Sequence, residues 1–386
     1  MKKIKMSRTI FGLFVFGAFL WLLPSAGEAQ CTATIGQTTY TTIQAAVNAA
    51  PANPPPNTPT LISVTGTCNE SVFINKNSIT FDGGGSATIQ PPSPTQAVIR
   101  IGGNLVIIKN FAISGGATGI GVQWGGNATI DNNTIQNAGN YGIVLYQSSS
   151  ASITNNTIKN SGVNVGIGAG IYLSLKSSAT IGITSPIDKT PKPNIIENNG
   201  RGIVLIDSTA LIANNTIKEN QGVGILLYGN SFANIGIVSP FDTSASPNDI
   251  ENNGGSGIDV RLSSAALIVG NKICNNEGDG VEVSKVSQAD ISDNNICGNT
   301  LNGISVSQNS GVNLGNEGGQ NPTIFDLPNT STVKNGDWGI QCDMGAYVDG
   351  LLGTLSGIHG RTKFGIGCID STQYYSHFLQ RQSRPN

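Results

Sequence analysis

The sequence predicts an all-β protein whose chain winds as a single-stranded parallel β-helix with three strands per coil and a capping helix at its amino-terminal end. The first observation is a repeat of about 22–23 residues between positions 126 and 308, a period too short for most helical repeats. The second is the content of each repeat, which has three short bursts rich in Ile and Val separated by Asn, Gly or Ser. Such bursts are typical of strands joined by tight turns.

The third observation is an Asn that follows an apolar residue by three positions in successive repeats. An Asn repeated at one turn tolerates left-handed backbone geometry and can bond its side-chain amide to the coils above and below. We therefore expect these residues to stack as a ladder along the helix axis: Asn133, Asn156, Asn215, Asn271 and Asn294.

Residues 1–29 have the pattern of a secretory signal peptide. Four basic residues precede an apolar stretch at 10–23, and cleavage is expected after Ala29. A lipoprotein signal is disfavoured, because the residues before Cys31 do not form a lipobox. No later apolar run is long enough to cross a membrane, so we expect an exported protein that is secreted, periplasmic or at the cell surface.

Charge argues against nucleic acid as a partner. The chain has 21 Lys and Arg against 23 Asp and Glu, and only 11% of its residues are charged. Removing the signal peptide takes away four basic residues and one acidic residue, which moves the formal net charge from −2 to −5. No basic stripe is left to bind the phosphate backbone of a nucleic acid. Separately, we expect the protein to be a monomer.

Four segments follow from these patterns: the signal peptide, a cap at 30–60, the β-helix at 61–348, and a carboxy-terminal cap and tail at 349–386. In the first cap, residues 41–50 predict an amphipathic helix that begins at Thr41 or Thr42 and plugs the open end of the β-helix. The first strands are expected at 61–64, 72–74 and 79–81. In the tail, Tyr374, Tyr375, Phe378 and Leu379 are expected to cover the far end.

Two resemblances support this fold. The opening "YTTIQAAVNAAP…ISVTGTCNESVFINKNSITFDGGG" resembles the start of pectin methylesterases, although the catalytic "GTVDFIFG"-like stretch of those enzymes is missing here. The repeats resemble right-handed parallel β-helix repeat proteins, a broad group that includes pectate-lyase-like enzymes and NosD-type periplasmic proteins. This second resemblance implies the fold for most of the mature chain and says little about the substrate.

Six cysteines in an exported chain are expected to pair. Cys274 and Cys297 occupy the same place in consecutive repeats, and coils spaced roughly 4.8 Å apart bring their Cα atoms within disulfide range. The alternative is a stack of free thiols in the core. We also expect Cys31–Cys68 to tie the first cap to the first coil and Cys342–Cys368 to tie the last coil to the tail.

One strand of each coil begins with Gly-Ile or Gly-Val, and the residues after each inward Ile or Val point outward. Two outward rows result, aromatic and apolar in their first half and charged in their second. The rows are Gly121, Val144, Tyr172, Val204, Leu226, Asp259, Glu282 and Ser305, and Gln123, Tyr146, Ser174, Ile206, Tyr228, Arg261, Ser284 and Ser307.

This face carries the candidate site. Asp259 and Glu282 are expected to be neighbours roughly 5 Å apart, a spacing that disfavours double ionisation unless a cation such as Ca²⁺ joins them. The candidate substrate-binding residues are Tyr146, Tyr172, Asp207 and Tyr228. Polysaccharide lyases of the resembled group bind substrate on such a face, so the resemblance implies catalytic roles for Asp259, Arg261 and Glu282. The alternative is a solvated face on which Arg261 neutralises its neighbours.

Two functional hypotheses remain open. In the first, the protein binds a polysaccharide that lies on the outward face and on the two similar loops at 181–194 and 235–248. Cleavage of this ligand, as by a lyase or glycoside hydrolase, is the enzymatic form of this hypothesis. In the second, the protein is a non-catalytic adhesion module or scaffold. Ca²⁺ is the one cofactor that the residues suggest.

Overall fold

The computed structural model describes residues 30–52, 54, 58–163, 165–166, 168–239, 242–315 and 324–373. The expected signal peptide and the aromatic residues of the expected tail lie outside these ranges. Within them the chain forms three long sheets whose strands follow one another in the order sheet 1, sheet 2, sheet 3 around each coil. Among the described residues, no helix is both apolar enough and long enough to span a bilayer.

Sheet 1 is parallel apart from β1, which pairs antiparallel with β2 and β3. Its strands are β1 (Thr32–Ile35), β2 (Thr38–Tyr40), β3 (Thr60–Thr65), β6 (Ile79–Asp82), β9 (Val106–Lys109), β12 (Asn127–Asp131), β15 (Ser150–Thr154), β18 (Ser178–Ile181), β21 (Thr209–Ile212), β24 (Phe232–Ile235), β27 (Ala265–Val269), β30 (Gln288–Ser292), β33 (Gly311–Asn313), β35 (Tyr347–Leu351) and β37 (Ile369–Gln373).

Sheets 2 and 3 are parallel throughout. Sheet 2 contains β4 (Thr67–Asn69), β7 (Thr88–Gln90), β10 (Ala112–Ser114), β13 (Thr134–Gln136), β16 (Thr157–Lys159), β19 (Ile195–Glu197), β22 (Thr216–Lys218), β25 (Asp249–Glu251), β28 (Lys272–Cys274) and β31 (Asn295–Cys297). Sheet 3 contains β5 (Val72–Ile74), β8 (Ala97–Ile101), β11 (Thr118–Val122), β14 (Tyr141–Leu145), β17 (Ala169–Ser174), β20 (Ile203–Ile206), β23 (Ile225–Tyr228), β26 (Ile258–Arg261), β29 (Val281–Ser284), β32 (Ile304–Val306), β34 (Trp338–Cys342) and β36 (Gly360–Phe364).

The core is a column of aliphatic side chains between the three sheets. Inward residues of one strand lie directly beside those of the next, as Ile130 does beside Ile153, and this register repeats along sheet 1. These isoleucines are fully buried. The strand pairing therefore converts the sequence repeat into continuous apolar stacks, which is the packing that the Ile and Val bursts predict.

The predicted capping helix is present as α1 (Ile43–Ala49). Thr42 is its N-cap, and the Thr42 side chain accepts a hydrogen bond from the backbone N–H of Ala45. Glu70, which the sequence analysis did not identify, accepts two further bonds from the first turn, from the N–H groups of Ile43 and Gln44 at 2.6 and 3.1 Å. A carboxylate at this position accepts hydrogen bonds from N–H groups that have no partner within the helix. Its negative charge also interacts favourably with the positive end of the helix dipole.

The predicted Asn ladder is confirmed. Each side-chain amide donates to the Asn of the following coil, as Asn133 Nδ2 does to Asn156 Oδ1 at 3.1 Å, and its oxygen accepts from the preceding coil. The ladder runs through Asn133, Asn156, Asn194, Asn215, Asn248, Asn271, Asn294 and Asn329. The expectation of left-handed geometry was one residue off. At the five predicted positions the preceding residue takes positive φ, as Asn132 does at 55°, because the ladder amide must face the core to reach its partners.

A second ladder that we did not predict lies at the turn between sheets 2 and 3. It consists of Asn199, Asn220, Asn253, Asn276, Asn299 and Asn335. Buried amides that bond to one another and to strand carbonyls leave few donors unsatisfied. Both corners that flank sheet 2 are therefore fixed by side-chain amides.

The three expected cystine pairs are the disulfides of the structure: Cys31–Cys68, Cys274–Cys297 and Cys342–Cys368. The Cα atoms of Cys274 and Cys297 lie 4.6 Å apart, as stacked coils require. Three disulfides are typical of an exported protein.

The strand pairing of sheets 1 and 3 extends further than the predicted boundary at 348, because β36 pairs with β34 and β37 pairs with β35.

From β11 to β34, a glycine at or just before the start of each strand of sheet 3 is required by packing. A Cβ on Gly142 would lie 2.5 Å from Ile158 Cγ2 in sheet 2 and 2.7 Å from the carbonyl oxygen of Gly170 in the next coil. Only a residue without a side chain lets sheet 3 meet sheet 2 so closely. This glycine interrupts the alternation of inward and outward side chains along the strand. The side chain of the residue before it therefore points to the outer face of sheet 3.

Candidate functional site on the outer face of sheet 3

The outer face of sheet 3 has the predicted row order. Gly121 pairs with Val144, Val144 with Tyr172, and the register continues to Asp259 and Glu282. A third outward row, created by the glycine break, was not predicted. It contains Thr118, Tyr141, Ala169, Arg201, Val223, Ser256 and Asp279.

An aromatic groove of about 300 Å³ opens on the first half of this face. The rings of Tyr141 and Tyr172 stack with their centroids 4.5 Å apart and their planes at 29°. Beside them Gly121 leaves a gap in a row where the neighbouring strands carry Arg100 and Val144. The groove is lined by Ala97, Arg100, Thr118, Gly121, Tyr141, Val144, Tyr146, Tyr172, Ser174 and Leu175.

The groove continues toward the amino-terminal cap as a polar extension of about 610 Å³. The two parts share Ala97 and Arg100, so they adjoin each other. The extension is lined by Asn69, Glu70, Ser71, Pro92, Thr95, Gln96, Ala97 and Arg100. An aromatic end joined to a polar end suits an elongated ligand with both apolar faces and hydroxyl groups.

Burial raises the pKa of Tyr172, and both burial and the neighbouring Tyr172 raise the pKa of Tyr141. Both phenols therefore stay neutral in physiological conditions. Tyr146, the other predicted tyrosine in the groove, donates its hydroxyl to Gln123 Oε1. The three rings thus present apolar faces with hydroxyl groups at their edges.

The second half of the face carries a charged cluster, defined by Arg201, Asp259, Arg261, Asp279 and Glu282. Asp259 and Glu282 are paired neighbours on adjacent strands, as predicted. The Asp259 carboxylate lies 3.2 Å from Arg261 Nη2, and the Arg261 guanidinium lies 5.9 Å from the centre of the Tyr228 ring. Tyr228 and Arg261 therefore form one surface above Asp259.

Asp259 is far more buried than an outward position suggests, with an exposed fraction of 2%. Its Oδ1 is buried and accepts no hydrogen bond from the described residues. Burial and the neighbouring Glu282 raise the pKa of Asp259 to about 7, although Arg261, Lys285 and Arg201 oppose the rise. The carboxyl group therefore exchanges its proton near neutral pH.

Asp279 behaves similarly in the same cluster. Burial raises its pKa to about 6, and the hydrogen bonds from Asn302 oppose the rise. Two carboxyl groups with raised pKa values at neighbouring positions reduce the negative charge of the cluster in mildly acidic solution, whereas its arginines stay charged.

The charged cluster does not fit Ca²⁺. A calcium ion takes six to eight oxygen ligands, and here the carboxylate of Asp259 faces the guanidinium of Arg261. Arg201 and Lys285 also act on Asp259. The guanidinium of Arg261 thus already supplies, beside Asp259, the positive charge that the sequence analysis expected from a metal ion.

Asp207 and the two long loops do not line the aromatic groove. Asp207 sits at the corner after β20 with φ of 48°, where its N–H donates to the carbonyl oxygens of Tyr228 and Gly229. The loops connect sheet 1 to sheet 2, and Lys189 of the first pairs with Asp242 of the second. This corner is the one that sheet 3 does not touch, so the loops do not extend the face that carries the candidate site.

A family model described as "Right handed beta helix region" matches residues 60–241 and 230–317. No curated protein matches the chain.

Several solved structures are similar to the chain at low sequence identity. An alginate lyase from Paenibacillus sp. str. FPU-7 is 17% identical, with a TM-score of 0.36 over 86% of this chain and 94% of that one. The A-module of the Azotobacter vinelandii mannuronan C-5 epimerase AlgE4 is 13% identical, with a TM-score of 0.46 over 83% and 87%. The Dettilon tailspike protein is 14% identical, with a TM-score of 0.48 over 82% and 62%. By its match to the family model, the chain belongs to the right-handed β-helix family.

Proposed function

We propose that the protein binds a polysaccharide on the outer face of sheet 3, with sugar rings in the aromatic groove. The observation that carries this proposal is the stacked pair Tyr141 and Tyr172 beside the gap at Gly121. A pyranose ring has an apolar face that packs on an aromatic ring, and its hydroxyl groups need polar partners at the edges. The groove supplies both, since Arg100, Thr118 and Ser174 lie at its margins.

The proposed ligand is a polymer rather than a single sugar. Three strand steps separate Tyr172 from Asp259 in one outward row, or roughly 14 Å at the usual strand spacing. Val204 and Leu226 form a buried apolar strip between them. An extended chain that crosses the strands could therefore contact the groove and the charged cluster together, with Tyr228 beside its path.

The proposal also bears on where the protein is located in the cell. Extended polysaccharides are encountered outside the cytoplasm, and the three disulfides agree with export. We therefore propose a secreted, periplasmic or cell-surface protein.

The test is calorimetric titration of the mature protein with a panel of soluble oligosaccharides. Tyr172→Ala should weaken the binding of any ligand of the wild type by about tenfold or more, because it removes half of the stacked pair. Phe232→Ala is the matched control, since Phe232 is an exposed aromatic on the outer face of sheet 1. Equal effects of the two variants, or no binding by the wild type, would favour an adhesion or scaffold function instead.

A second candidate function is cleavage of the bound chain at the charged cluster. The observation that favours it is the pKa of about 7 at Asp259, beside the more accessible Glu282. A carboxylic acid protonated near neutral pH can act as a general acid, and a neighbouring carboxylate can act as base or nucleophile. New reducing ends indicate a hydrolase and unsaturated ends a lyase. Either product should disappear in Glu282→Gln.

A further inference from the structure

We propose that the groove selects acidic polysaccharides and that Arg100 recognises the anionic group of one sugar residue. This inference rests on the proposed function and narrows it to a ligand class. The shared chemistry is a carboxylate or a sulfate carried by a pyranose ring, which Arg100 binds while the ring lies toward Tyr172.

Arg100 stands where the two parts of the groove meet. It is exposed on β8, in the same outward row as Phe73 and Gly121, and it lines both the aromatic part and the polar extension. Its guanidinium carbon lies 5.2 Å from the centre of the Phe73 ring. Trp124 packs edge-on against the same ring at 5.7 Å, so Phe73 is held from two sides.

The contact with the Phe73 ring leaves the N–H groups of the Arg100 guanidinium available to a ligand. An arginine that lies over an aromatic face keeps its planar edge free, and that edge matches the two oxygens of a carboxylate or sulfate. Gly121, whose missing side chain leaves the gap, is the strand partner of Arg100 on the following coil. A sugar ring in the gap would therefore lie between Arg100 and the tyrosines.

The positive charge of Arg100 has no counter-charge nearby in the part of the chain that the structure describes. No carboxylate of those residues lies within 4.0 Å of its guanidinium nitrogens. Glu70 also lines the groove, but its carboxylate accepts hydrogen bonds from Ile43 and Gln44 at the start of α1. Arg261, by contrast, is already paired with Asp259.

The experiment compares three sets of oligosaccharides of equal length: neutral, uronate-containing and sulfated. Wild type should bind one or both acidic sets more tightly than the neutral set, and added salt should reduce this preference. Arg100→Gln should weaken binding of the acidic ligand by about tenfold or more, a clearly larger factor than its effect on the neutral ligand, which loses only a hydrogen-bond partner. Arg100→Lys should restore part of the loss, because it keeps the charge without the planar fork.

The outcomes separate this inference from the proposed function. If Arg100→Gln binds acidic ligands as tightly as wild type while Tyr172→Ala does not, the groove binds glycans and the role of Arg100 is refuted. If Tyr172→Ala leaves every affinity unchanged, or if wild type binds none of the three sets, the groove proposal fails and this inference with it. Arg100 is exposed, so unchanged thermal midpoints for its variants will show that folding is intact.

Discussion

The carboxylate of Asp259 and the guanidinium of Arg261 lie 3.2 Å apart on the outer face of sheet 3, two residues apart on β26. The pair is asymmetric, because Asp259 is almost fully buried whereas about a quarter of the Arg261 side chain is exposed. Neutralising the acid would therefore release an arginine at the surface. This relationship makes the charge of the face depend on pH near neutrality.

The first prediction concerns stability and pH. Because the pKa of Asp259 is raised from 3.8 to about 7 in the folded protein, the folded state keeps a proton that the unfolded chain gives up. The free energy of unfolding should therefore fall as pH rises from about 4 to about 7, by on the order of a few kcal/mol. Asp279, with a pKa of about 6, acts in the same direction. Urea denaturation at several pH values measures this slope.

Asp259→Asn should remove most of that slope, since an amide does not titrate. Glu282→Gln should move the window to lower pH, because the negative charge of Glu282 helps to raise the pKa of Asp259. Glu219→Gln, at the edge of sheet 2, is the matched control and should leave the profile unchanged. Identical slopes in wild type and Asp259→Asn would contradict the prediction.

The second prediction concerns the Asn ladder. Asn133→Ala removes the acceptor of the Phe111 N–H and the donor to Ile108 O and to Asn156 Oδ1, all of them buried. The free energy of unfolding should fall by about 2–5 kcal/mol, because buried partners are left unsatisfied.

The control for the ladder is the exposed neighbour Asn132, which has φ of 55°. Asn132→Gly should change stability little, since glycine adopts this geometry readily. Equal losses in the free energy of unfolding in the two variants would contradict the claim that the buried ladder amides stabilise the fold.

The third prediction concerns Cys274 and Cys297. Mass mapping under non-reducing conditions should find peptides joined through these residues. Replacing both with Ser should cost about 3 kcal/mol by the loop-closure model, given their separation of 23 residues. Free thiols at both positions in the oxidised protein would refute the pairing.

The fourth prediction concerns the glycine at the start of β14. Gly142→Ala should destabilise the protein by several kcal/mol or prevent folding, because the new Cβ meets both Ile158 and the backbone of Gly170. Gly125→Ala is the control, since no atom lies within 4 Å of its added Cβ and only its φ of 72° is unfavourable. Its cost should be about 1–2 kcal/mol, and a cost equal to that of Gly142→Ala would contradict the packing argument.

Much of the fold could be predicted because coils in register copy a sequence period directly into space. The stacking of Asn133 on Asn156 and of Asp259 beside Glu282 needed only the repeat length. The second Asn ladder was missed although its signal, an Asn before the turn into sheet 3 at Asn199 and in the coils that follow, is present in the repeats.

The site was harder to predict, because its chemistry depends on contacts between rows. The importance of Arg100 was not evident, since it precedes the regular repeats and acts through Phe73 and the gap at Gly121. The burial of Asp259 could not be foreseen either. Arg201, on the third outward row, lies close enough to influence the charge of Asp259, and no alternation of polar and apolar residues encodes that row.

The most direct test of the central claim is a crystal structure of the mature protein with the oligosaccharide that it binds most tightly. The account predicts a sugar ring packed on Tyr172 in the aromatic groove, with the chain directed across the strands of sheet 3. A ligand bound on the outer face of sheet 1 or sheet 2, or on the loops at 181–194 and 235–248, would contradict it.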